Sequence, residues 1–174
     1  MDGGLELFAT FDRSGRELGL CPRHEVHRQG LWHRSAQVFV FDSKGRLLIQ
    51  RRAPDKDLYA GLWDYSVGEH LKPGEDYQAG ALRGLSEELG INEINELQPL
   101  GGQRWVEIQS AAHVDREIQQ AYRCEYDGVL QADPVEVAEV RYIAMAELMK
   151  WMNAAPDDFT PWFVTDLQEF SFLD

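Results

Sequence analysis

Hydrophobic and polar positions along this chain alternate in short runs, and the runs are separated by turn-forming residues. Residues Ala36 to Phe41 are apolar, rich in β-branched and aromatic side chains, and Asp42-Ser43-Lys44-Gly45 breaks them before Arg46 to Arg51 resume. That pattern predicts a β-hairpin. Leu5 to Phe11, the turn Asp12-Arg13-Ser14-Gly15 and Arg16 to Leu20 predict another. Pro22 to Gly30 is polar and is expected to form either an irregular connection or a short helical turn. Gly61-Leu62-Trp63-Asp64 leads into a short strand expected to end at Val67, and further strands are expected at Arg104 to Gln109, Glu117 to Cys124 and Val137 to Ile143.

Helical periodicity is clearest after Pro73-Gly74. Asp76 is a plausible N-cap and Gly90 a plausible stop. At about 100° per residue, Ala81, Leu82, Leu85 and Leu89 share one stripe, while Arg83, Gly84, Glu87 and Glu88 fill the opposite arc. Two shorter helices are expected, Ala146 to Asn153 and one running from Thr160-Pro161 through Phe170, with Thr160 as its cap. Strands interspersed with helices predict one α/β domain over residues 1–174, its mixed sheet covered on both faces.

Composition narrows the class. At 174 residues, 44% hydrophobic and 27% charged, the chain can bury one core. A net charge of −13 disfavours nucleic-acid polymers and anionic membranes. It leaves small anionic ligands open, because a metal or a few local cations reverse the field. Cys21 and Cys124 lie far apart and outside any C-x-x-C pattern, which suits reduced thiols in a cytoplasmic protein. The acidic N-terminus carries no long apolar run, so neither a leader nor a membrane span is expected.

Adjacent carboxylates on one helical arc suit a hard cation such as Mg²⁺, with Mn²⁺ an alternative. Arg51, Arg52 and Lys56 lie just upstream, as candidate contacts for an anion.

The stretch from Val67 to Ile91 resembles a Nudix box, the loop-and-helix signature of enzymes that split diphosphates with divalent metal. Arg83, Glu87, Glu88, Gly90 and Glu75 match in spacing. Two positions depart: Glu69 falls where the pattern has glycine, and Gly84 where it has glutamate. Segments Glu25 to Arg34, Gln50-Arg51-Arg52, Gly61-Leu62-Trp63, His70 and Phe159 to Trp162 look like the branch containing type 1 isopentenyl diphosphate isomerase and its hydrolase neighbours.

The resemblance implies a Nudix-type α/β/α sandwich, metal held by Glu87 and Glu88, and a bracing Glu75–Arg83 pair; Glu69, where the chain departs from the pattern, is expected to enter the space left by Gly84 and supply a third carboxylate. It also implies a second site at His33, His70, Asp115 and Glu117, with His27 matched one residue out of register. The isomerase's thiol falls on Gly68. The expected activity is therefore hydrolysis of a small diphosphate, either a nucleoside diphosphate derivative or an isoprenoid diphosphate. Asp115, Glu117 and Glu69 are all candidates for the base. A diphosphate-binding protein without turnover, and an isomerase-like enzyme, are the alternatives. The oligomeric state stays open, a homodimer included.

Overall fold

The computed structural model describes residues 6–56, 58–109 and 114–170. Leu5, the expected first residue of the opening strand, lies outside them.

The hairpins form where the turns predict. Strands β1 (Leu7–Phe11) and β2 (Glu17–Pro22) pair antiparallel, and β3 (Trp32–Phe41) and β4 (Leu47–Arg52) flank the turn at Asp42. The Asp42 carboxylate receives the backbone N–H groups of Lys44 and Arg46 at 3.0 and 2.8 Å, which locks that turn. Between the hairpins, α1 (Arg23–Gln29) is a true helix, closed by Gly30 at φ 62°. Of the two conformations left open for Pro22 to Gly30, the helical one is observed.

Beyond the hairpins come β5 (Trp63–Asp64), β6 (Val67–His70), α2 (Tyr77–Leu89), β7 (Gln98–Gln109), β8 (Val114–Glu125), β9 (Val137–Ile143), α3 (Met145–Ala154) and α4 (Pro161–Glu169). Val67 begins a strand, where the sequence pattern had one ending. β6 carries its own ladder to β3, from Val38↔Val67 to Ser35↔His70. β3 also starts four residues earlier than its apolar run, because Trp32 to Ser35 pair in parallel with Arg116 to Gln119 of β8.

The sheet is mixed, with β3 at its centre between β6 and β8, and apolar cores lie on both faces. Alternation along β3 sends Ala36, Val38 and Val40 to one face, against Ala81, Leu85 and Leu89 of α2. Phe39 and Phe41 point the other way, towards Leu148 and Met152 of α3 and Phe163 and Leu167 of α4. Continuing that second face towards the start of β3 brings His33, Ser35 and Gln37, all buried, so the apolar layer gives way to a polar one. No helix among the described residues is long and apolar enough to cross a membrane.

Candidate metal centre and cavity

A cavity of about 650 Å³ opens above this polar layer, bordered by His27, Gly68, His70, Asp115 and Glu117. Three elements deliver its histidines: His27 from α1, His33 from β3 and His70 from β6. Their rings pack within 5.0 to 5.7 Å of one another, beside Phe8. The ligand atoms of His27, His33 and His70 lie within 4.8 Å of one another, as do those of His33, Asp115 and Glu117. His33 directs Nδ1 at the Leu31 carbonyl, 3.1 Å away, which turns Nε2 into the cluster. His70 Nε2 meets Glu117 Oε1 at 3.2 Å. The other carboxylate oxygen of Glu117 accepts from Ser35 Oγ and Gln119 Nε2 at 2.6 and 2.7 Å.

Electrostatics leave two of the three rings open to a cation, while the hydrogen bond and charge of Glu117 raise His70 above the ordinary imidazole range despite its burial. Burial and the neighbouring imidazoles pull His27 down to about 3, and burial with His70 pulls His33 to about 4, so both rings are neutral and able to ligate. Burial and the charge of Glu117 push Asp115 up to about 7. Glu117 is itself buried, yet its hydrogen bond and charge interaction with His70 hold it well below the usual range. His27 Nε2, His33 Nε2 and Asp115 Oδ1 are buried with no hydrogen-bond partner. Orphaned lone pairs converging from nitrogen and oxygen donors are what a divalent ion satisfies, and the residues present fit one.

The carboxylates expected on the box helix are arranged differently. Glu87 is exposed, paired with Arg83 at 3.2 Å and Lys72 at 3.8 Å, and does not border the cavity. Glu88 is buried, accepts from Gln50 Nε2 at 2.8 Å, and is raised to about 8 by burial. Glu69 Oε2 lies 3.0 Å from Arg83 Nη1. Among the described residues, Glu69, Glu87 and Glu88 do not converge into a metal-ligating group: Glu87 and Glu88, about 100° apart on the helix, turn to Lys72 and Gln50, and Arg83 holds Glu69. The Glu75–Arg83 pair is present, at 2.8 and 2.9 Å, and Arg83 also donates to the His70 carbonyl at 2.9 Å.

The three basic candidates separate. Arg52 and Lys56 border the cavity, whereas Arg51 is exposed outside it and donates to the Gly61 carbonyl at 2.9 Å. Strand alternation explains the split, since Arg51 and Arg52 leave β4 on opposite faces. Arg52 reaches Leu58 O at 3.0 Å and Asp64 at 3.4 Å, and Lys56 pairs with Glu136. Arg23 and Arg28 of α1 add positive charge at the mouth, a contribution the sequence pattern did not single out. The Thr160 hydroxyl serves Asp64 at 3.0 Å instead of capping α4, and Trp162 Nε1 donates to the same carboxylate at 2.8 Å. This ties α4 to the cavity floor. His27 is a full member of the cluster, since the turn of α1 carries its ring to His33 despite the one-residue offset.

Fold and site together define a mixed-sheet α/β protein with a histidine–carboxylate centre suited to a divalent ion. The NUDIX domain model matches residues 31–163, and the chain belongs to the Nudix family. It is 35% identical to an isopentenyl-diphosphate Delta-isomerase of Burkholderia multivorans over 158 residues, covering 91% of this chain and 89% of that protein. A protein of the same name from Nocardia farcinica is also 35% identical, over 90% of each chain. The fold resembles the crystal structure of DR0079 from Deinococcus radiodurans, with a TM-score of 0.69 at 20% identity over 86% of this chain and 90% of that one.

Proposed function

We propose that this chain is a metal-dependent Nudix enzyme of isomerase type, which moves the double bond of a short isoprenoid diphosphate by proton transfer at carbon. One observation carries the reading: among the described residues, the side chains able to hold a metal gather as His27, His33 and His70, and as His33, Asp115 and Glu117, beside the cavity and not on the box helix. The relatives named isopentenyl-diphosphate Delta-isomerase support the substrate class.

A divalent metal held by those five residues would supply positive charge to the cavity, and the mixed nitrogen and oxygen donors favour a transition ion such as Mn²⁺ there. Mg²⁺ is the natural companion of the diphosphate itself. Arg52 and Lys56, with Arg23 and Arg28 at the mouth, offset the charge of the diphosphate in an otherwise acidic protein. Glu117, positioned on the cavity by hydrogen bonds from Ser35 and Gln119, is the proton acceptor. The free cysteines suit a cytoplasmic setting.

Hydrolysis of the diphosphate is the second reading. It is favoured by Gly68 at the position of the isomerase thiol, and by the fact that neither Cys21 nor Cys124 borders the cavity. Incubating the metal-loaded protein with isopentenyl diphosphate, and separately with nucleoside diphosphate compounds, separates the two. The allylic isomer without phosphate release is expected; released phosphate without the isomer would overturn the first reading in favour of the second.

A further inference from the structure

Tyr65 is the one phenol bordering the cavity among the described residues. Its ring is held edge-on by Phe39 and Phe163, with centroids 5.6 and 5.9 Å away, and it is 5% exposed. Its backbone N–H donates to Asp64 Oδ1 at 2.9 Å, whereas its hydroxyl hydrogen-bonds to no described residue. A buried phenol is normally paired, so an unpaired one facing a cavity is poised for a ligand.

Gly68 explains how the ring comes to be there. Its φ lies outside the left-handed region, so the backbone does not require glycine. Space does: a Cβ at 68 would stand 2.7 Å from Tyr65 Cε2 and 3.2 Å from its hydroxyl oxygen. Gly68 precedes His70 by two residues on β6 and so shares its face. The hydroxyl therefore occupies the side-chain space of residue 68, in the row next to the metal cluster. Across the ladder from Gly68, Gln37 has a buried Oε1 without a partner, and its Nε2 donates to Ser35 Oγ at 2.8 Å. Ser35 in turn donates to Glu117. A polar row thus runs from the phenol's position to the carboxylate, and both border the same cavity.

We propose that Tyr65 is a catalytic residue, whose hydroxyl gives its proton to the ligand's double bond, and that glycine at position 68 seats its ring. The inference rests on the isomerase-type reading of the same site. A C–H bond forms at the terminal alkene carbon with the phenol proton, and a C–H bond breaks at the allylic carbon. The electron pair left there becomes the new double bond. The proton removed at the acceptor returns to the phenolate through cavity water, the diphosphate stays whole, and nothing is oxidised or reduced.

The test uses the full chain loaded with divalent metal, isopentenyl diphosphate in D₂O, and mass spectrometry of the recovered prenyl diphosphate. Wild type should incorporate deuterium. Tyr65→Phe, which keeps the ring packing, should slow incorporation by about 10²-fold or more, with ligand affinity by calorimetry within threefold and an unchanged circular dichroism spectrum. Incorporation within threefold of wild type in that variant overturns the role of Tyr65 and leaves the isomerase reading standing. Phosphate release by wild type with no deuterium uptake overturns that reading and the proton donor with it. Should Tyr65→Phe fail to fold, 3-fluorotyrosine at position 65 keeps the shape with a more acidic phenol. Its fluorine resonance should move when ligand is added, and the rate of deuterium incorporation should change by more than threefold. An unmoved resonance and rate overturn the proposal.

Discussion

Glu88 offers a direct measurement of what burying a helix carboxylate costs this protein. It is 8% exposed, and among the described residues its side chain accepts a hydrogen bond from Gln50 of β4. Burial first, and repulsion from Glu69 after it, raise its pKa from 4.5 to about 8. A carboxyl raised in the folded state contributes stability that is fully present below its unfolded value and is lost as pH climbs through the folded one. With about 1.4 kcal/mol per unit, the loss between pH 4.5 and pH 8.5 is on the order of 3 to 5 kcal/mol.

Glu88→Gln keeps the shape and the carbonyl acceptor and removes the charge. Urea unfolding of metal-free protein should show the two chains within about 0.5 kcal/mol at pH 4.5. By pH 8.5 the variant should be the more stable by about 2 to 4 kcal/mol, once relaxation around the charge is allowed for. Mg²⁺ at pH 8.5 should close that gap if Glu88 ligates it. A difference between the chains that does not change with pH would refute the reasoning.

Arg83→Ala leaves Glu75 and Glu69 without their shared partner and the His70 carbonyl without its donor, so it should cost about 2 to 4 kcal/mol; a melting temperature matching that of Glu87→Ala would count against it. Gly84→Ala should destabilise by about 1 to 3 kcal/mol despite the roughly 1 kcal/mol that alanine offers a helix, because the new Cβ would lie 2.7 Å from Val67 Cγ1; chemical denaturation checks the sign, and a stabilised variant would refute the close approach. His33→Ala should weaken Mn²⁺ binding by at least about 100-fold, beyond the loss typical of outer-shell partners, in a calorimetric titration that Glu87→Gln leaves unchanged; the reverse pattern would put the metal on the box helix.

The elements legible in the sequence are those governed by local chemistry. Asp76 caps α2 by accepting from Ala79 N–H at 2.8 Å, and Gly90 closes the helix at φ 69°, as the punctuation predicts. The turn at Asp42 and the apolar run of β3 are equally local. Periodicity separated α2 into two arcs but could not say which part of the polar arc meets the sheet. Glu88 turns in beneath Gln50 while Glu87, one step before it, turns out to Lys72. Tyr65 was illegible because nothing in its neighbours' identities reports a ring lying across Gly68. That contact depends on where α4 places Phe163, almost a hundred positions along the chain.

The two departures from the box pattern belong together, and steric contact links them. Gly84 leaves no room for a side chain: beyond the clash with Val67, a Cβ there would lie 3.1 Å from Glu69 Cβ and 3.5 Å from Glu69 Cγ. The stem of Glu69 fills the space over the helix where a carboxylate at 84 would have projected. Its head does not then meet Glu87 and Glu88 as a third acid, because Arg83 Nη1 draws it in at 3.0 Å. That guanidinium is shared by Glu69, Glu75 and Glu87, so the acids nearest the box helix are held by an internal cation and turned away from a common point. The unsatisfied donor atoms stand instead on the other face of β6, at His27, His33 and Asp115. A helix that carries a bridge, and a sheet face that carries the open lone pairs, divide the work so that Glu69→Gly with Gly84→Glu should alter the stability of the helix–strand contact while leaving ion binding at the histidines intact.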